Sequence, residues 1–329
     1  MFSSYFQDRR QRVIQTDKTS ATLPNTIGVP QGTILGPILF SIYINDLPSI
    51  LQYSSCLLFA DDNNIFQSSK IENVVKMMND SEKDLENINK WINANYMKLN
   101  ISKTKMCIFA TKSTMTKIDQ AGHPLTLNFM NNCVTLDSDI KCMGLILDKQ
   151  LTWKQHITTL CSKLNYNLNS IRTFQPFLEP KHLHILVSYL FLFHVFYMTC
   201  LWGQACTTAL KPIEKSIRRG ARLILGKSKY DRILYDLTTN FKWLMPHNLY
   251  KYKMCNFLSE IINLKSIIYF ENMLEESSSI YNTRCKSKYF KGDIPMNDFG
   301  TRQICNVVNT LWKTFPEEIK ESELLFLKK

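Results

Sequence analysis

The chain has 329 residues, 45% hydrophobic and 21% charged, which excludes a disordered polymer and leaves room for about two domains. The formal charge of +12 is uneven: residues 1–150 carry 15 Lys and Arg against 14 Asp and Glu, residues 151–329 carry 25 against 14. Ten scattered Cys without a Cys-x-x-Cys pair exclude a paired-cysteine zinc site and read as reduced thiols of an intracellular protein, in nucleus or cytoplasm alike, with no disulfide-linked partner.

In chain order, residues 1–27 are a polar lead-in with a strand-like Arg12-Val13-Ile14-Gln15. No basic-then-apolar signal peptide opens the chain. Gly36-Pro37 starts a helix running to about Leu47, where Pro48 stops it. A hairpin spans about 55–68, and a long helix covers 71–97 with an apolar stripe of Val74, Met77, Met78, Leu85, Ile88, Ile92 and Met97. Met106 to Ala110 reads as a strand and Thr111 to Gly122 as a polar loop. Leu125–Leu127 and Val134–Leu136 are short strands around an Asn131-Asn132 turn, and Lys141 to Leu147 is another strand. Beyond Trp153 the pattern is mostly helical, over about 153–174, 181–204, 208–226, 247–262 and 302–313. Ile185 to Trp202 is long and apolar, but Ser188, His194 and Thr199 make it a buried helix and not a membrane span. His182, His184 and His194 are structural. Strands mixed with helices, then helices alone, give an α+β class with a first domain over 1–150 and a helical second domain over 151–329.

Phe59-Ala60-Asp61-Asp62 puts two adjacent carboxylates at a hairpin tip. Two Asp at a turn serve turn chemistry, and they also suit metal-assisted phosphoryl transfer, because Mg²⁺ takes carboxylate oxygens together with substrate phosphates. In the basic half, Lys211, Lys215, Arg218 and Arg222 fall at i, i+4, i+7 and i+11 on one narrow helical face, opposite Leu210, Ile213, Ile217 and Ile224. Such a helix docks its apolar side and offers cations to phosphates, or carries a plain solvated face.

The stretch from Gly28-Val29-Pro30-Gln31-Gly32 through Asn45-Asp46-Leu47, followed by the Asp61-Asp62 hairpin, resembles the reverse transcriptases of non-LTR retrotransposons, the jockey-like group in particular. The similarity continues in Trp91-Ile92-Asn93-Ala94-Asn95 with Leu99-Asn100 and Lys103-Thr104. It runs on in Met143-Gly144-Leu145-Ile146-Leu147-Asp148 with Leu151-Thr152-Trp153 and His156-Ile157. Tyr281-Asn282-Thr283-Arg284, Leu311-Trp312 and Phe315-Pro316 resemble the tail that follows. Several motifs in the right order are far more specific than any one of them.

The resemblance implies a partial polymerase palm, an antiparallel sheet with helices, followed by a mostly α-helical thumb and C-terminal domain. It implies Asp61 and Asp62 as catalytic and metal-binding residues, with Mg²⁺ as cofactor. Gln31, Gly32, Phe59 and Lys103 would line the nucleotide site and Gly144 the primer-grip turn. The implied partners are nucleic acid, an RNA template and a DNA primer, with no membrane. In the family a further aspartate stands on a palm strand ahead of a segment resembling Phe2 to Arg12, and here that segment opens the chain. Asp8 and Asp17 are the acids before Gly28, and neither sits in a strand-like apolar run; Asp46 caps or terminates a helix. The expectation is an N-terminally truncated polymerase, inactive for want of that acid. A non-catalytic nucleic-acid-binding protein using the basic half, and a decayed element, are the other readings.

Overall fold

The computed structural model describes residues 5–122 and 125–264, with the short stretches 276–277, 289–290, 306–307 and 310–311. The chain divides into two units, Met1–Cys142 and Met143–Lys329. Strands and helices mix in the first and helices dominate the second, so the class is α+β. The tail motif at 281–284, Trp312 and Phe315-Pro316 lie outside the described residues.

The first unit opens with two small antiparallel pairings. Strand β1 (Arg10–Gln11) pairs with β4 (Leu23–Pro24), enclosing β2 (Ile14–Gln15) paired with β3 (Lys18–Thr19). Helix α1 (Leu35–Ile44) follows, with Pro37 in its first turn, where the missing N–H has no partner to lose. It ends at Ile44, three residues before the expected stop, and a 3₁₀ turn over Leu47–Ile50 takes Pro48 in its own first turn. The hairpin consists of β5 (Ser55–Phe59) and β6 (Asp62–Phe66). Helix α2 (Val74–Ala94) then serves two cores from one face. Ile88 and Ile92 join Ile44, Leu47, Leu58 and Ile65 under α1 and the hairpin, whereas Val74 and Met78 pack with Met115 and Ile118.

Four expectations up to Leu147 need correction. Residues 106–110 are not a strand: Met106 alone bridges to Leu136, and Met106, Ile108 and Ala110 spend their apolar surface on the Val74–Met78 core. The supposed loop after Thr111 is helix α3 (Lys112–Gln120); the Thr111 hydroxyl accepts the Thr114 N–H at 3.2 Å, and Met115 and Ile118 bury one side. Strands β7 (Thr126–Phe129) and β8 (Asn132–Thr135) turn at Met130-Asn131, both at positive φ, one residue earlier than expected. The expected strand over 141–147 is divided between β9 (Asp139–Cys142) and, in the second unit, β10 (Leu145–Asp148), because Met143 and Gly144 hold φ of +48° and +80°. Among the described residues the sheets are separate two-stranded ones; no single palm-like sheet forms.

In the second unit, helix α4 (Lys154–Phe174) leads, followed by α5 (Pro180–Leu186). The apolar segment expected as one helix over 181–204 is broken. It continues as a π-helical stretch over Val187–Leu192, a short α6 (Phe193–Phe196), a kink with Met198 at φ +47°, and α7 (Thr199–Trp202). Helices α8 (Thr207–Leu225) and α9 (Pro246–Leu264) follow. Val187, Phe191, Val195 and Trp202 share one core with Leu164, Leu168, Ile213 and Ile217. Among the described residues no helix is long and apolar enough to cross a membrane.

Candidate active site and nucleic-acid interface

Pairing Phe59 with Asp62 leaves a two-residue turn, Ala60-Asp61. Ala60 holds φ +51°, a left-handed conformation that costs an L residue roughly 1–2 kcal/mol. Both carboxylates are exposed, and neither has a hydrogen-bond or ion-pair partner among the described residues. Pleating then sorts the hairpin. Leu58 and Ile65 turn inward to the core, whereas Leu57, Phe59 and Phe66 share the exposed face with Asp62. The charge of Asp62, after burial, raises the Cys142 thiol, so the acid tip lies within electrostatic reach of β9.

The hairpin is held from behind by a residue that the sequence reading passed over. Asp84 is 0% exposed, and its carboxylate accepts the N–H groups of Gln52, Tyr53 and Ser54 at 2.8, 3.0 and 2.7 Å. Burial, the largest single influence, raises its pKa, but those N–H groups and the Ser54 hydroxyl together outweigh it and hold the carboxyl below its ordinary value. The signal was available: Asp84 stands four residues before Ile88 on the apolar stripe, where an acid needs a structural reason.

The Gly28–Gly32 loop is held by its neighbours, the Arg9 guanidinium donating to the Gly28 carbonyl. Gly32 holds φ +78°, which favours glycine. The Thr33 hydroxyl donates to the Pro30 carbonyl at 3.0 Å, accepts the Gly36 N–H at 3.2 Å and meets the Tyr5 hydroxyl at 2.9 Å. Gln31 is exposed at the loop's turn. Lys103 ends the 3₁₀ turn Ile101–Lys103 with its side chain in solvent. Asp8 and Asp17 sit in exposed turns, and the Asp46 carboxylate accepts the Trp91 indole N–H at 3.3 Å.

In the second unit Gly144 is a turn glycine, with the Tyr197 ring 3.5 Å from where a Cβ would stand and the Tyr197 hydroxyl donating to the Met143 carbonyl at 2.7 Å. Asp148 accepts the N–H groups of Gln150, Thr152 and Trp153 and the Thr152 hydroxyl, which fixes the entry to α4. His156 is buried, and its Nδ1 accepts the Ile146 N–H at 3.3 Å. The Gly144 to Ile157 motif is thus a self-bracing turn. On α8, Lys211, Lys215 and Arg218 are exposed as expected, but Arg222 is not a free cation: it folds onto the next turn, donating to the Asp231 carbonyl at 3.4 Å.

Among the described residues no group of three or more His, Cys, Asp and Glu side chains comes together as a metal site. The unpartnered oxygens of Asp61 and Asp62 fit a hard divalent cation, with the remaining coordination left to water and to substrate oxygens.

A family profile described as reverse transcriptase (RNA-dependent DNA polymerase) matches residues 2–168. The chain belongs to the reverse transcriptase family. Within this family it is 26% identical over 247 residues to the probable RNA-directed DNA polymerase from transposon X-element of Drosophila melanogaster, covering 69% of this chain and 25% of that protein. Against the probable RNA-directed DNA polymerase from transposon BS of the same fly it is 29% identical over 181 residues, covering 52% of this chain and 19% of that one. The RNA-directed DNA polymerase from mobile element jockey, also of Drosophila melanogaster, is 23% identical over 164 residues, 48% of this chain and 17% of its own length. This reverse transcriptase chain therefore spans a quarter or less of the curated relatives it matches. The jockey-like resemblance drawn from the motifs agrees with these relatives.

Proposed function

We infer that the chain is the part of a jockey-like non-LTR retrotransposon polymerase that carries the acid hairpin and the thumb, with residues 1–150 as palm and 151–329 as thumb and C-terminal region. The observation that carries this is the pair of unpartnered carboxylates at the β5–β6 tip, behind a helix opened by the Gly28–Gly32 loop. Asp61 and Asp62 are the residues that would hold Mg²⁺. When bound, two such ions supply a clamp on the attacking and leaving oxygens of a phosphoryl transfer. The chain's own residues do the positioning. Gln31 and Gly32 line the nucleotide, Phe59 presents its ring beside Asp62, Lys103 faces the phosphates, and Gly144 shapes the turn at the primer. The basic second half holds an RNA template and a DNA primer by their phosphates. No third acid joins Asp61 and Asp62 among the described residues, so the expected behaviour of residues 1–329 is nucleic-acid binding without polymerisation.

Manganese tests the metal assignment directly. Added Mn²⁺ should broaden the amide NMR signals of Phe59 to Asn63 before any others, and Asp61→Asn with Asp62→Asn should abolish this. Broadening centred elsewhere, or unchanged in the double variant, would remove the metal role from this hairpin.

A further inference from the structure

A second polar site lies on the helical unit, beside the α8 stripe and separate from it. Helix α4 presents Asn165, Leu168, Asn169 and Arg172 at i, i+3, i+4 and i+7, and α8 presents Arg219 and Leu223 at i and i+4. These six residues line a cleft of about 310 Å³. Its floor is apolar, from the buried Leu168 and Leu223, and its walls carry two guanidinium groups and two carboxamides. Neither arginine forms an ion pair among the described residues, although Arg172 stands in the last turn of α4, where a cation also meets the negative end of the helix.

The cleft is built and not a chance gap between side chains. Gly220 lets α8 approach closely: a Cβ there would lie 3.3 Å from Val187 Cγ1 and 3.6 Å from Leu168 Cδ2. At one end the Gln175 carboxamide donates to the Leu223 carbonyl at 3.0 Å. At the other, the Arg219 guanidinium donates to the Asn165 carboxamide oxygen at 3.4 Å, which orients its fork while leaving further N–H groups unused. Four donor-bearing side chains around a trough above apolar carbon match a phosphate group attached to a sugar: the fork takes the oxygens and the leucines take the ribose face.

We propose that this cleft binds one phosphate of a nucleic-acid strand, as a defined subsite next to the diffuse attraction of Lys211, Lys215 and Arg218. The strand as source of the phosphate rests on the proposed function; the phosphate chemistry does not. An open trough fits a phosphodiester continuing on both sides better than a small molecule, which closed pockets enclose.

The test uses the full chain and NMR signals of the Asn165 and Asn169 carboxamides. Orthophosphate at low salt should shift both, and Arg172→Gln with Arg219→Gln, exposed positions that leave the core intact, should weaken that response roughly tenfold or more. Twelve-residue oligo-dT should move the same signals and displace the phosphate, whereas the neutral methylphosphonate strand should not. Carboxamides unmoved by phosphate, or moved equally in the double variant, would overturn the site. Phosphate binding that oligo-dT fails to displace would overturn the strand as its source. The readout is independent of polymerase chemistry, so a failure of the Asp61–Asp62 reading leaves this result standing.

Discussion

Replacing Asp84 tests whether a buried carboxylate sets the approach to the acid hairpin. It accepts three backbone N–H groups from Gln52, Tyr53 and Ser54, immediately ahead of β5. Asp84→Asn keeps one acceptor oxygen and brings an NH₂ against the remaining donors. Each buried donor left unpaired costs roughly 1–3 kcal/mol, but Gln52 and Tyr53 lie near solvent and water recovers part of it, so about 2 kcal/mol is expected. Hydrogen exchange on the full chain reads this locally: amides 52–54 and the β5–β6 ladder should exchange about 30-fold faster, at roughly 1.4 kcal/mol per factor of ten. The pH dependence has a definite sign. The folded carboxyl titrates below its ordinary value, so its contribution is complete above the unfolded value of about 3.9 and is lost as pH falls through the folded one. Protection of 52–54 should therefore weaken under acid in the parent chain and lose that dependence in Asp84→Asn. Exchange unchanged in the variant would refute the anchoring role.

Other outcomes are equally concrete. Lys211→Ala, Lys215→Ala and Arg218→Ala together should flatten the salt dependence of single-strand binding by about 2, at roughly 0.7 per phosphate contact, whereas Arg222→Ala should leave the slope alone and loosen the 228–231 turn. Burial, then the charge of Lys163, lowers the His156 pKa, so the second unit should lose stability as pH falls below the unfolded value of about 6.5; His156→Phe should flatten the thermal midpoint between pH 7.5 and 5.5. Gly203→Ala would place a Cβ 2.7 Å from Tyr250 Cβ and about as close to the Thr199 carbonyl oxygen, and should cost about 1–3 kcal/mol, read as a lower melting temperature of the second unit.

The long periodic elements were legible in the sequence because one face of each must be buried. The α2 stripe and the helices over α4 and α8 follow directly from spacing, and the acid hairpin follows from two short apolar runs flanking the adjacent acids. What escaped was decided by partners that spacing does not reveal. Residues 106–110 have strand-like composition, but their apolar side chains meet α2 and α3 and not a neighbouring strand. Helix α3 has only Met115 and Ile118 to bury, too few to announce a period, although Thr111 ahead of Thr114 was a readable cap. The π-helical stretch over Val187–Leu192 and the kink at Met198 interrupt 181–204 where the apolar run from Ile185 to Trp202 holds no Gly or Pro to announce a break. At the site, the acids were visible and their buttresses were not. Asp84 went unremarked beside the apolar stripe and Asp148 was only a motif letter, yet each gathers several backbone N–H groups from loops distant or adjacent in sequence. The Arg222 contact with Asp231 was likewise hidden, because it depends on how the chain turns after Gly226.

Primer extension on a homopolymer RNA template, with Mg²⁺ or Mn²⁺ and residues 1–329, tests the central claim most directly. Asp61 and Asp62 as two members of an incomplete carboxylate set predict strand binding without extension. Robust extension that disappears in Asp61→Ala would contradict the account, since another carboxylate of this chain would then complete the site.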